Sequence, residues 1–131
     1  MYRKRMPTES GARGYISIRP HRRVFYTEGT SMATQAINAP IQGGAASVQM
    51  RALRLIYDGL RARPELDSFV AASVHDEFIL ETPDDGRAEE AKEIMVDGMV
   101  KALIEIFPEA EEMGLSRLSS AKVVSSWAEK E

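Results

Sequence analysis

Two short apolar runs, Phe69 to Val74 and Phe78 to Leu80, stand on either side of His75, Asp76 and Glu77. The pattern predicts strand, tight turn, strand, with the three polar residues at or near the bend. Carboxylates lifted on a hairpin tip are placed to meet a ligand rather than to fill a core. Adjacent Asp and Glu point to opposite faces of an extended backbone, so only one of them aims straight at a shared site. A carboxylate beside reacting atoms suits Mg2+-dependent chemistry, because Mg2+ takes hard oxygen ligands and shares them with substrate phosphates. Taken alone, the same residues also fit a solvated, charged turn.

A chain of 131 residues fits one compact domain. It has no cysteine, which excludes a disulfide framework, a thiolate metal site and a cysteine nucleophile. No apolar run approaches a membrane span, and the basic start (Arg3, Lys4, Arg5) is not followed by an apolar signal core. The expected location is cytoplasmic, with no membrane partner. The net charge of -3 hides an asymmetry. Residues 1–64 hold 11 Lys/Arg against 3 Asp/Glu, which is +8, and residues 65–131 hold 6 against 17, which is -11. A basic half is the footprint of a polyanion partner, or the two halves neutralise each other in the fold.

The rest of the chain supplies a frame for the hairpin. Residues 1–12 are polar and basic and form the expected flexible lead-in. Gly14 to Ile18 alternates like a strand, Arg19-Pro20-His21-Arg22 reads as a turn, and Arg23 to Tyr26 as the returning strand of a basic hairpin. His21 reads as a surface turn residue. Thr30 or Ser31 could cap the helix that follows. Pro40 and Gly43-Gly44 disturb that helix and predict a kinked start, with small residues that let another backbone come close. Asn38 and Gln42, four apart, share one of its faces. Two amides on one face suit a nucleic acid groove, or simple surface hydration. From Val48 the helix carries an apolar stripe of Val48, Ala52, Ile56 and Leu60 beside Arg51, Arg54, Arg61 and Arg63, and Pro64 ends it. After the hairpin, Pro83-Asp84-Asp85-Gly86 opens a second amphipathic helix, which Pro108 stops. Ala121-Lys122-Val123-Val124 predicts a last strand. The expected fold class is α+β, an antiparallel sheet with helices on one face in the order ββ-α-ββ-α-β.

Four stretches in this order resemble the C-terminal palm region of family A (bacterial polymerase I-like) DNA polymerases. They are the basic hairpin of residues 14–25, Ala36-Ile37-Asn38-Ala39-Pro40-Ile41-Gln42-Gly43-Gly44-Ala45-Ala46, Val74-His75-Asp76-Glu77 and Ser125-Ser126-Trp127. The second resembles the family's long palm helix motif and the third its motif C. The resemblance implies a partial palm domain over residues 13–131. It implies that Asp76 is one of two metal-binding carboxylates of nucleotidyl transfer, with Glu77 its less critical catalytic neighbour. It implies that His75 sits near the primer 3′ end, and that Asn38 and Gln42 lie against the minor groove of a primer–template, whose acceptor atoms recur on every base pair. Arg22 and Arg51 are further DNA-binding candidates; Arg51 and Arg54 either contact phosphate or serve the fold. The implied cofactor is Mg2+, in a two-metal site.

The chain also departs from the family. Motif A, an Asp-Tyr-Ser-like strand that would bring the first aspartate, is absent, and so is motif B, the Arg/Lys/Tyr helix that holds the incoming nucleotide. Thr34, Gly44, Ser47 and Met50 stand where the family often has Arg, Thr, Asp and Lys. The preferred expectation is therefore a C-terminal subunit or fragment of a split DNA polymerase, inactive alone. Its partners are primer–template DNA, a dNTP in the complete enzyme and a second polypeptide carrying motifs A and B. The alternative is a non-catalytic nucleic-acid-binding accessory module, or an inactive remnant derived from a palm. A hydrolase built on His75 and Asp76 is disfavoured, because the only other histidine, His21, lies in a distant turn.

Overall fold

The computed structural model describes residues 14–20, 22–26, 32–114 and 119–129. They form an α+β chain in two compact units, with the boundary between Ser47 and Val48. The lead-in of residues 1–12, His21 and the candidate caps Thr30 and Ser31 lie outside the described residues.

In the first unit, β1 (Gly14–Ile18) and β2 (Arg22–Tyr26) pair antiparallel, from Gly14 opposite Tyr26 to Ile18 opposite Arg22. Helix α1 (Met32–Arg61) begins in this unit and runs through Pro40. The room predicted around the helix glycines is found at Gly43, although a side chain fills it rather than a backbone. A Cβ at Gly43 would lie 2.6 Å from Ile18 Cδ1, so the buried Ile18 side chain seats directly on the helix. Ser47 Oγ, also buried, donates back to the Gly43 carbonyl at 2.8 Å, which satisfies a hydroxyl that would otherwise be costly to bury.

The second unit holds the main core. Ala52, Ile56 and Leu60 of α1 meet Leu66, Phe78, Ala91 and Ala102, with Val70 and Leu80 packed alongside. The stripe read from the sequence is therefore the buried face of α1. After Arg61 the chain makes a short 3-10 turn at Pro64–Leu66, and Asp67 takes a left-handed φ of 48° to redirect it into β3 (Phe69–Val74). β3 pairs antiparallel with β4 (Glu77–Glu81).

Helix α2 (Ala88–Ile106) begins later than the sequence predicts. Asp84 and Asp85 precede it, and Glu89 and Glu90 occupy its first turn, where the helix dipole favours acids. Asp85 instead accepts hydrogen bonds from Arg87, whose Nη1 also donates to the Glu65 carbonyl at 2.9 Å. Helices α1 and α2 meet in antiparallel order, with Arg51 against Glu105, Ile56 against Gly98, Gly59 against Ile94 and Arg63 against Glu90. Pro108 stops α2 as expected, and a one-turn helix α3 (Glu109–Glu112) follows.

Two details differ from the expected order. Among the described residues, β1 pairs with β2 and β3 with β4, each in a two-stranded sheet. The last strand is not formed: residues 121–124 are irregular, and Val123 and Val124 are exposed. A β-branched run favours extended backbone, but a strand also requires a neighbour to take its N–H and C=O groups. No strand of the described residues pairs with it.

Candidate functional site

The β3–β4 hairpin closes with a two-residue turn, His75-Asp76, between Val74 and its partner Glu77. His75 and Asp76 are exposed, and Glu77, the first residue of β4, is half-buried. His75 has a φ of 54°, in the left-handed region that few residues other than glycine visit, though histidine does so more than most. Such backbone costs free energy, on the order of 1 kcal/mol, and persists where the surroundings hold it. By strand alternation Phe78 and Leu80 face the core, so Glu77 lies on the opposite face from Phe78.

The register carries a bulge at Ala71. Val70 pairs with Leu80, Ala72 with Ile79 and Ser73 with Phe78. Without the extra residue, Ser73 would fall on the face away from Phe78. With it, Ser73 joins the helix-side face, and Gln49 Nε2 of α1 donates to Ser73 Oγ at 2.9 Å. At the open end, Ser68 Oγ lies 2.8 Å from Thr82 Oγ1 and 2.9 Å from the Leu66 carbonyl, so one hydroxyl can donate on to the next. Hydroxyl hydrogen bonds thus lace the hairpin near both ends.

The other candidate residues are distributed over both units. Asn38 and Gln42 belong to the first unit, both exposed, beside the exposed Ile37 and Ile41. Arg22 opens β2 opposite Ile18. In the second unit, the Arg51 guanidinium forks onto Glu105, with Nε to Oε2 at 2.5 Å and Nη2 to Oε1 at 3.1 Å. That hydrogen bond holds the Glu105 carboxyl below its ordinary pKa. Arg54 is likewise paired, to Asp58 at 2.7 Å. Of the two roles open to Arg51 and Arg54, the geometry displays the structural one.

Among the described residues, no cluster of three or more His, Asp or Glu could hold a metal ion. Asp76 and Glu77 are adjacent carboxylates, hard oxygen donors of the kind Mg2+ takes. The sequence reading missed Gln49 and Ser73. Gln49 sits on a helix whose pattern advertises only its apolar stripe, and Ser73 reaches it only because of a bulge that no turn residue announces.

The chain matches the family model described as DNA polymerase family A over residues 2–127. It is 32% identical over 117 residues to the DNA polymerase I, thermostable, of Thermus filiformis, covering 83% of this chain and 14% of that protein. It is 50% identical over 66 residues to the DNA polymerase I A, chloroplastic, of Oryza sativa subsp. japonica, covering 50% of this chain and 6% of that protein. A similar match, 47% over 64 residues and 49% of this chain, is to 6% of the DNA polymerase I B, chloroplastic/mitochondrial, of Arabidopsis thaliana. The chain thus spans a small fraction of the length of these relatives. No solved structure matches it.

Proposed function

The chain belongs to DNA polymerase family A, and we propose that it supplies the motif C carboxylates of template-directed nucleotidyl transfer, as a C-terminal partial palm of residues 13–131 in a split enzyme. The observation that carries this reading is the exposed Asp76 on a two-residue hairpin tip, within a segment that matches the family. Family A polymerases act on DNA and dNTPs and use Mg2+. Asp76, together with an aspartate from a second polypeptide, would hold Mg2+, which would supply the positive charge that nucleotidyl transfer from a dNTP to a primer 3′-hydroxyl requires.

This chain's own residues have simpler tasks. Asp76 presents a carboxylate clear of the core, Glu77 adds negative charge beside it, and His75 sits at the turn where a primer end would approach. Asn38 and Gln42 offer amides to a minor groove, and Arg22 a cation to phosphate. The second polypeptide brings motifs A and B. It is also a candidate cover for the hairpin face opposite the core, where Phe69 and Val74 are 54% and 37% exposed. Among the described residues no helix is long and apolar enough to cross a membrane; the proposed compartment is the cytoplasm.

Reconstitution tests the reading. The isolated chain is expected not to extend a primer, and extension is expected to appear when a polypeptide carrying an Asp-Tyr-Ser-like strand and an Arg/Lys/Tyr helix is added. Extension by that polypeptide without this chain would overturn it, as would a stoichiometric complex that never extends.

A second reading, nucleic-acid binding without catalysis, is favoured by Ser47. Where the family often has Asp, this side chain is buried and turned onto the Gly43 carbonyl. It predicts salt-sensitive duplex binding by the isolated chain, weakened more by Arg22→Ala than by Arg51→Ala, since Arg51 is already occupied by Glu105. Indifference to duplex DNA at low salt would end that reading.

A further inference from the structure

We infer that Gln49, acting through Ser73, is a positioning residue for the His75-Asp76-Glu77 turn. The inference deepens the proposed function and rests on it for the catalytic role of Asp76. Three observations converge. The Gln49 Nε2 to Ser73 Oγ hydrogen bond spans 2.9 Å and joins α1 to β3 two residues before the turn. The bulge at Ala71 is what brings Ser73 to the face that Gln49 can reach. And the turn itself holds His75 at a φ of 54°, a conformation that relaxes unless its flanks are fixed.

The order of the chain explains why such a tether has something to do. β3 ends at Val74, and its last pair is Val74 with Glu77. Phe78, one residue further from the tip, is the outermost hairpin residue in the buried core cluster. Core packing therefore fixes the hairpin only as far as the Ser73–Phe78 pair. Beyond it, the orientation of Asp76 follows from the twist of the last strand pair. Gln49 acts at that limit. It lies one turn before Leu53 and two before Ile56 on α1, so it transfers the position of a packed helix to the strand end. A metal-binding carboxylate must be held within a fraction of an ångström, which is the demand a side-chain tether meets.

Amide hydrogen exchange on the full chain tests the tether without reference to activity. Gln49→Ala and Ser73→Ala are each expected to speed exchange at residues 74–78 by about two- to tenfold, as the loss of one net hydrogen bond predicts. The double variant should be no faster than either single variant, and Ser73→Thr, which keeps the hydroxyl, should resemble the original. In the primer-extending complex, Gln49→Ala should lower kcat by a similar factor with the KM for primer–template unchanged. Tip exchange that does not change, exchange that rises equally throughout the chain, or an unchanged kcat with a loosened tip would each overturn the inference. Asp76→Ala serves as the separate control. If extension survives it, the polymerase reading fails, while the exchange result still decides whether Gln49 orders the tip.

Discussion

Where α1 crosses α2, each isoleucine lies on a glycine of the opposite helix, Ile56 on Gly98 and Ile94 on Gly59, whereas at the hairpin tip His75 and Asp76 stand in solvent. The first region is fixed by shape. A Cβ on Gly98 would come within 2.7 Å of Ile56 Cγ1 and 3.2 Å of its backbone nitrogen, so the helices approach as closely as their backbones allow. The second region is fixed by direction, through strand register, a bulge and the tether from Gln49 to Ser73. The contrast shows a division of labour along α1. The helix is packed tightly at Ile56, and Gln49, two turns earlier, passes that fixed position to the exposed hairpin tip. A carboxylate with a task outside the chain cannot be held by burial, because burial would desolvate it.

Substitutions that exchange the properties of the two regions test this division. Gly98→Ala is expected to cost about 1–3 kcal/mol in urea unfolding, although alanine is the better helix former. Gly59→Ala should cost less, because its Cβ would press on one Ile94 methyl and on no backbone atom within 4 Å. Equal effects at the two positions would mean that the crossing is looser than described. His75→Gly should act in the opposite sense, raising stability by about 0.5–1 kcal/mol by relieving the left-handed backbone. It should lower primer extension in the complex, since the imidazole is lost. A destabilised His75→Gly variant would show that the imidazole holds the tip rather than serving a ligand.

The smallest effect is expected at the Arg51–Glu105 pair, which flanks the crossing at the surface. Glu105 has its pKa lowered in the fold by the Arg51 hydrogen bond. A depressed carboxyl contributes stability above its unfolded pKa, near the ordinary 4.5, and loses it as the pH falls through the lower folded value. Arg51→Gln should therefore lower stability slightly at neutral pH, by no more than a surface ion pair contributes, and flatten the acid limb of a stability–pH profile below about pH 4.5 by the same small amount. An unchanged acid limb would remove Glu105 from the account.

Much of this arrangement was legible in the sequence. The alternation of residues 14–26 and the polar break at His75-Asp76-Glu77 gave both hairpins, because period and turn chemistry are local. The α1 stripe gave its buried face for the same reason. Three features were not legible, each depending on something distant in sequence. The bulge at Ala71 has no residue signature, since alanine fits either strand geometry. The Gln49–Ser73 hydrogen bond follows from that bulge. The strand expected at Val123 and Val124 fails for the complementary reason: its composition favours extension, but composition does not provide a pairing edge. The metal-binding role proposed for Asp76 rests on resemblance rather than on local pattern.

The most direct measurement is therefore primer extension by the reconstituted complex with Asp76→Ala, alongside urea unfolding of the same variant. The account predicts a loss of at least about 100-fold in kcat, with stability changed by no more than about 0.5 kcal/mol because Asp76 is exposed. Extension at the original rate with Asp76 replaced would contradict it, and would leave the hairpin tip a solvated turn.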